Sequence, residues 1–175
     1  MNKIQHIFLI LISLYLVSCG NIDSLFEVRA ESQFRIELGL NTLEAHYFRS
    51  TDVLIPYTTQ LNGTGLVQDD ITKFIASRAE LRPKFGEQMN LDFINSVNVY
   101  ILDPTDFNRR KEIFYIDFVE IGQANEIRLF NALNDITEFL VNDRAVIETR
   151  LEFRQFPPSS FDMRLDMTFS ALAEE

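Results

Sequence analysis

The stretch FDMRLDMTFSA, residues 161–171, alternates between apolar and polar side chains at every position. One face carries Phe161, Met163, Leu165, Met167, Phe169 and Ala171, and the other carries Asp162, Arg164, Asp166, Thr168 and Ser170. Successive side chains of a β-strand point to opposite faces. A period of two over this length therefore predicts a strand with one buried face.

The stretch AVIETRLEFR, residues 145–154, follows the same rule. Its inward face is predicted to hold Ala145, Ile147, Thr149, Leu151 and Phe153, opposite Glu148, Arg150, Glu152 and Arg154. If the two strands formed a direct hairpin, Arg154 would lie opposite Asp162, Glu152 opposite Arg164, and Arg150 opposite Asp166. This register pairs opposite charges and is favoured for that reason. The alternative is that Pro157 and Pro158, which cannot donate to a ladder, carry the chain to a second sheet.

Other segments show weaker strand patterns. They are SQFRIELG (32–39), SVNVYIL (96–102), EIFYIDFVEI (112–121), DVLIPY (52–57), FIASRAEL (74–81) and EIRLF (126–130), with turns at NGTG (62–65) and DPTD (103–106). Many short strands separated by turns are typical of a sandwich or a barrel. We therefore predict an all-β domain over residues 32–175, built as a two-sheet antiparallel β-sandwich.

One to three short helical crossovers are expected between these strands. DITKFI begins at Asp70 and DITEFL at Asp135, and each aspartate is placed to accept an amide hydrogen bond at a helix N-terminus. Asp135 and Glu138 also have capping-box spacing. Asn90, followed by apolar Leu91, is a third candidate start.

The N-terminus has the form of a signal peptide, with Lys3 followed by an apolar run over residues 7–17. A helix of about 11 residues is too short to span a bilayer. Leu16, Val17, Ser18 and Cys19 resemble the lipobox of bacterial lipoproteins. The resemblance implies that residues 1–18 are removed by cleavage between Ser18 and Cys19, and that Cys19 carries the lipid.

The same resemblance implies a location in the bacterial cell envelope, anchored by palmitate-type acyl chains. In that family an aspartate after the cysteine marks retention in the inner membrane, so Gly20 favours the outer membrane. Residues 19–31 show no clear period and are predicted to be a flexible tether behind the lipidated terminus. Within it, Asp23, Ser24 and Leu25 resemble an acceptor pattern for bacterial O-glycosylation, which makes Ser24 a candidate site.

The charge and the cysteine content restrict the function classes. The formal net charge is −10, which disfavours nucleic acid as a partner because phosphate backbones are repelled. Cys19 is the one cysteine of the chain, so no disulfide remains once it is acylated. Stability must then come from the apolar core, to which 16 phenylalanines can contribute.

No catalytic, metal or cofactor site is predicted from the sequence. His46 is the only histidine outside the leader, which leaves no triad and too few ligands for zinc. Asp103, Asp106 and Asn108 could give oxygens to calcium, as could Asp69 with Asp70, but turn chemistry explains these residues without a metal. For sugars, the chain lacks tryptophan but offers Tyr47, Tyr57, Tyr100 and Tyr115 as platforms.

The strand layout loosely resembles that of envelope lipoproteins with an immunoglobulin-like or late-embryogenesis-abundant-like sandwich, many of them without assigned function. The leading hypothesis is therefore a lipid-anchored, non-enzymatic module that binds a protein partner in the cell envelope or has a structural role. An adhesin-like or polysaccharide-binding module is the first alternative. A carboxylate-dependent hydrolase is the second, and it would need two carboxylates about 5 to 10 Å apart in a concave site.

Overall fold

Eight antiparallel strands make up most of the computed structural model, which describes residues 24–84, 89–122, 125–140 and 143–173. The strands are β1 (Ser24–Ile36), β2 (His46–Leu54), β3 (Lys73–Pro83), β4 (Ile94–Leu102), β5 (Arg110–Ile116), β6 (Ile127–Asn131), β7 (Arg144–Phe153) and β8 (Phe161–Leu172). One α-helix, α1 (Tyr57–Thr64), and two 3₁₀ turns, Gln68–Asp70 and Thr137–Phe139, connect them. The all-β prediction is confirmed.

The strands follow the order β1-β8-β3-β6-β5-β4-β7-β2 in one nearly closed sheet. β1 pairs with β8, β2 with β7, β3 with β6 and β4 with β5, so the first half of the chain runs back along the second half. The chain is thus one long antiparallel ribbon wound around a core. In an immunoglobulin-like sandwich the first two strands pair with each other, and here they do not.

The two edge strands of the sheet, β1 and β2, meet through side chains. The Ser32 hydroxyl donates to the Ser50 hydroxyl at 2.8 Å, and the Ser50 hydroxyl donates to the Gln33 carbonyl at 3.2 Å. Phe34 stacks on Phe48 with 4.7 Å between ring centroids. These contacts join the two edge strands where Ser32 to Phe34 lie beside Phe48 and Ser50.

The core lies where the alternating patterns predict it. The whole apolar face of 161–171 is buried, as is the predicted inward face of β7. Phe169 is fully buried, and its ring lies 6.3 Å from the ring of Phe114 on β5, centroid to centroid. The interior thus joins strands that are distant in the sheet order.

The predicted β7–β8 hairpin is wrong. β7 pairs with β2 and β4, whereas β8 pairs with β1 and β3. Four of the charges that suggested a hairpin pair within their own strand: Arg150 contacts Glu152, and Arg164 Nε lies 3.1 Å from Asp166 Oδ2. Asp162 pairs with Arg35 of β1. The segment with Pro157 and Pro158 carries the chain from one half of the sheet to the other.

The predicted tether over residues 19–31 is wrong from Ser24 onward, because β1 begins there. Phe26, Val28 and Ala30 point inward and are buried, while the charged residues between them are exposed. These residues therefore belong to the barrel. Residues 19–23 lie outside the described part of the chain.

The helical elements differ from the predicted ones. α1 covers part of the predicted NGTG turn and is followed by Gly65, whose φ of 74° is the left-handed conformation that glycine adopts readily. Asp70 ends a 3₁₀ turn rather than starting a helix. Asp135 does accept the Thr137 amide at 2.9 Å, as predicted, but Glu138 bonds Lys111 instead of closing a capping box. The Asn90 segment forms a turn.

Candidate functional site

The predicted lipid-attachment and cleavage residues, Cys19 and Ser18, lie outside the described residues. Ser24, the candidate glycosylation site, is the exposed first residue of β1 and lies opposite Leu172. In the described ranges, no helix has both the length and the apolar character needed to cross a bilayer.

His46 is packed on the barrel rather than placed in a cleft. Its ring stacks on Phe153 with 5.2 Å between centroids, and its Nε2 lies 2.9 Å from the Asn41 carbonyl oxygen. The side chain thus holds the loop before β2 against β7, which is a structural role.

The Asp103 turn, considered for calcium, uses its carboxylates internally. Asp103 accepts hydrogen bonds from the Thr105 hydroxyl at 2.6 Å and the Thr105 amide at 2.8 Å, and these bonds hold the pKa of Asp103 below its ordinary value. Asp106 accepts the Asn108 amide at 3.0 Å. No described group of three or more histidine, cysteine, aspartate or glutamate side chains is arranged to hold a metal ion.

The barrel has two ends with different loops. Since neighbouring strands alternate in direction, the start of β1 and the ends of β2, β4, β6 and β8 lie at one end, here called the proximal end. Of the described residues, the opposite, distal end carries 37–45, 89–93, 117–122, 125–126 and 154–160.

The distal end carries an exposed cluster around Arg154, here called the distal patch and made of Phe118, Ile121, Arg154 and Phe156. The apolar members are 59%, 71% and 65% exposed. Arg154 lies over the Phe118 ring at 4.7 Å. Ile121, Phe156 and the buried Phe93 line a cleft of about 290 Å³. Exposed apolar groups of this kind mark interaction sites.

Hydrogen bonds hold the loops of the distal patch in place. The Arg154 guanidinium donates to the Val119 carbonyl, and the Arg154 amide donates to the Phe93 carbonyl at 2.9 Å. The Gly122 amide donates to Asp92 Oδ1 at 2.8 Å. A surface fixed in this way loses less conformational entropy when a partner binds.

A second cleft surrounds Glu148 on the outer face of β2, β7, β4 and β5, and is here called the Glu148 cleft. Glu148 was predicted to point outward, and it does, yet its side chain is only 4% exposed. Arg49 Nη2 lies 2.6 Å from one carboxylate oxygen and Arg110 Nη1 lies 3.1 Å from the other. The two arginines cover the carboxylate and leave one net positive charge in the cleft.

Aromatic rings form the walls of the Glu148 cleft. Arg49 lies over the Phe107 ring at 4.4 Å, and Arg110 lies over the Tyr100 ring at 4.5 Å. Tyr47 is 53% exposed and lines the same cleft, whose volume is about 500 Å³. Burial raises the pKa of Tyr100, and the Glu112 carboxylate raises it further. Rings beside fixed donors are suited to a ligand with hydroxyl groups.

Of the four predicted tyrosines, Tyr47 lines this cleft, and the Tyr100 ring lies beneath Arg110, which also lines it. Tyr57 instead packs against Phe74, and Tyr115 lies beside Phe130. The residues that sequence reasoning missed are Arg49, Phe107, Arg110 and Glu148. They come from three strands and a loop, and no local spacing connects them.

Comparisons with known proteins identify no family. No family model matches the chain, and no curated protein matches it. Among solved structures, a chain of empty-head turnip yellow mosaic virus is similar with a TM-score of 0.25 at 10% identity, over 90% of this chain and 87% of that one. The decameric BFDV capsid protein is similar with a TM-score of 0.27 at 12% identity, over 83% and 97%. Neither likeness carries an argument about this chain.

Proposed function

We propose that this chain is an envelope lipoprotein, anchored through Cys19 to the outer membrane, whose non-enzymatic barrel binds a protein partner through the distal patch. The observation that supports this proposal is the position of Phe118, Ile121 and Phe156. They lie exposed together on two loops, at the end of the barrel away from Ser24.

The direction of β1 fits this role. β1 has 13 residues, and a strand advances about 3.3 Å per residue, so its path covers roughly 40 Å. Only a few residues separate Cys19 from Ser24. A lipid at Cys19 would thus hold the proximal end near the bilayer and direct the distal patch away from it.

The composition of the distal patch suits a protein partner. Full burial of a phenylalanine or isoleucine side chain contributes about 1.5 to 3 kcal/mol. Arginine beside aromatic rings is also frequent among the residues that dominate binding energy. The surrounding negative charge of the chain favours a partner with a basic rim.

Photo-crosslinking in intact cells tests this proposal. A photoreactive residue at Ile121 is expected to trap a discrete protein, whereas one at Val67, which is 60% exposed at the proximal end, is not. Ile121→Asp should lower recovery of the trapped protein by about tenfold, since a charge replaces a buried apolar contact. Equal recovery from Val67→Asp and Ile121→Asp, or equal labelling from both positions, would contradict the proposal.

We also propose that the two halves of the sheet, β1-β8-β3-β6 and β5-β4-β7-β2, pack face to face as a two-sheet sandwich. The support is the contact of Phe114 with Phe169 from opposite halves, and the short ladder of β6 with β5, which pairs Phe114 with Asn131 and Tyr115 with Phe130.

A polysaccharide ligand is the second candidate, favoured by the exposed rings beside the arginines in the Glu148 cleft. In that case Tyr47→Ala and Phe107→Ala are each expected to weaken retention on envelope polysaccharide by about tenfold, as for loss of a stacked ring. Phe130→Ala removes an exposed ring outside the cleft and should change nothing. Affinity electrophoresis measures the difference. Unchanged retention for both cleft variants would rule this candidate out.

A hydrolase is disfavoured because both Glu148 oxygens accept from arginines.

A further inference from the structure

Two arginines on the outer face of the barrel lack the partners that the others have. Nine other arginines contact a carboxylate. The remaining one, Arg154, contacts a backbone carbonyl and an aromatic ring. Arg29 and Arg78 are exposed, and within the described residues neither side chain makes an ion pair or a hydrogen bond. Acidic residues outnumber basic ones in this chain, 26 to 16, so uncompensated guanidinium groups are unexpected here.

The sheet register places these two arginines in one row. Arg29 on β1 lies opposite Thr168 on β8, and Thr168 lies opposite Arg78 on β3. Adjacent strands are about 4.8 Å apart, so the two arginine backbones are roughly 10 Å apart with Thr168 between them. Side chains of this length can both reach a group held above the Thr168 hydroxyl.

A β-bulge at Ser77 is the reason that Arg78 is in this row. Phe74 and Ala76 point inward and are buried, so uninterrupted alternation would send residue 78 into the core. The register shifts between Ala76 and Arg78, and the Ser77 hydroxyl donates to the Thr168 carbonyl at 3.0 Å. Bulges commonly redirect a side chain next to a functional site. This one turns Arg78 outward, beside Thr168.

From this arrangement we infer an oxyanion-binding site formed by Arg29, Arg78 and the Thr168 hydroxyl, whose ligand is a single phosphate group. Guanidinium forks match the paired oxygens of such a group and bind it with charge-assisted hydrogen bonds. The three residues line a cleft of about 240 Å³, which has room for one phosphate. The site lies on the side of the barrel and does not depend on the distal patch.

The acidic neighbours restrict the ligand to a compact one. Glu27 and Glu80 also line this cleft, and Asp166, a third acidic lining residue, is bonded to Arg82 at 2.7 Å. The formal charge of −10 repels extended polyanions at long range. A single phosphate group reaches the two arginines without approaching the rest of the acidic surface. Nucleic acid is therefore a poor ligand for this site.

Titration of the full-length protein with inorganic phosphate tests the site. At constant ionic strength, saturable NMR shifts are expected at the Thr168 amide and at the arginine Nε–H groups of Arg29 and Arg78. Arg29→Gln and Arg78→Gln should each raise the dissociation constant by about tenfold, as expected for loss of a charge-assisted hydrogen bond. Glycerol phosphate and glucose 6-phosphate, titrated alongside, distinguish a lipid headgroup from a phosphorylated sugar by which binds more tightly.

Arg35→Gln is the matched control. Arg35 is on the same strand and outer face, 52% exposed, and bonded to Asp162 at 3.1 Å. Its loss should leave phosphate binding unchanged, and circular dichroism should show all three variants folded. Absent shifts, shifts that persist in both Arg29→Gln and Arg78→Gln, or equal weakening by Arg35→Gln would each overturn the inference.

Discussion

Phe169→Ala is expected to lower the free energy of unfolding by about 3 to 5 kcal/mol. Phe169 is fully buried on β8, its backbone lies between Val28 and Ala76 of the two neighbouring strands, and its ring faces Phe114. Removing the ring leaves a cavity that strands paired on both sides cannot close. Urea unfolding of the purified protein, followed by far-UV circular dichroism, measures the change.

Phe130→Ala is the control for this prediction. The same atoms are removed, but Phe130 is 62% exposed on β6, so the loss is expected to stay below about 1 kcal/mol. Domains of this size are stable by about 5 to 15 kcal/mol, so the Phe169 variant should unfold at clearly lower urea concentration. Equal midpoints for the two variants would show that Phe169 is not the centre of the core.

The faces of the strands could be predicted because the signal is local. Each residue of 161–171 alternates with its neighbours, and the inner face is buried as expected. The pairing of strands is not local. Charges on β7 and β8 suggested a hairpin, but Arg150 with Glu152 and Arg164 with Asp166 are already compensated within one strand. Opposite charges two residues apart therefore say little about the partner strand.

α1 could not be predicted for a related reason. Its sequence contains Gly63 and has weak helix propensity. The Thr58 amide donates to the Asp143 carboxylate at 2.9 Å, a contact between residues 85 positions apart. A distant side chain thus fixes the first turn of this helix, and no local pattern reports it.

At the candidate sites, too, the local pattern could be predicted and the contacts between strands could not. Glu148 fits the alternation of β7 as an outward residue, yet Arg49 from β2 and Arg110 from β5 bury it. Arg78 breaks the alternation of β3 because of the bulge at Ser77. In both cases the sequence predicts the strand, and the neighbouring strands decide what the side chain does.

Cys19→Ser is expected to move the protein from the membrane fraction to the soluble fraction and to abolish labelling by radioactive palmitate. A thioether-linked lipid needs the sulfur, and each buried methylene contributes about 0.8 kcal/mol, so two or three acyl chains hold the protein firmly whereas none holds it at all. The described barrel offers no substitute, since its outer faces are rich in ion-paired charges. Cys19→Ala should behave like Cys19→Ser, while Gly20→Ala, which keeps the thiol, should stay lipidated. Unchanged fractionation of Cys19→Ser would refute the anchor, and the distal patch would then lose its orientation relative to the membrane but not its exposed rings.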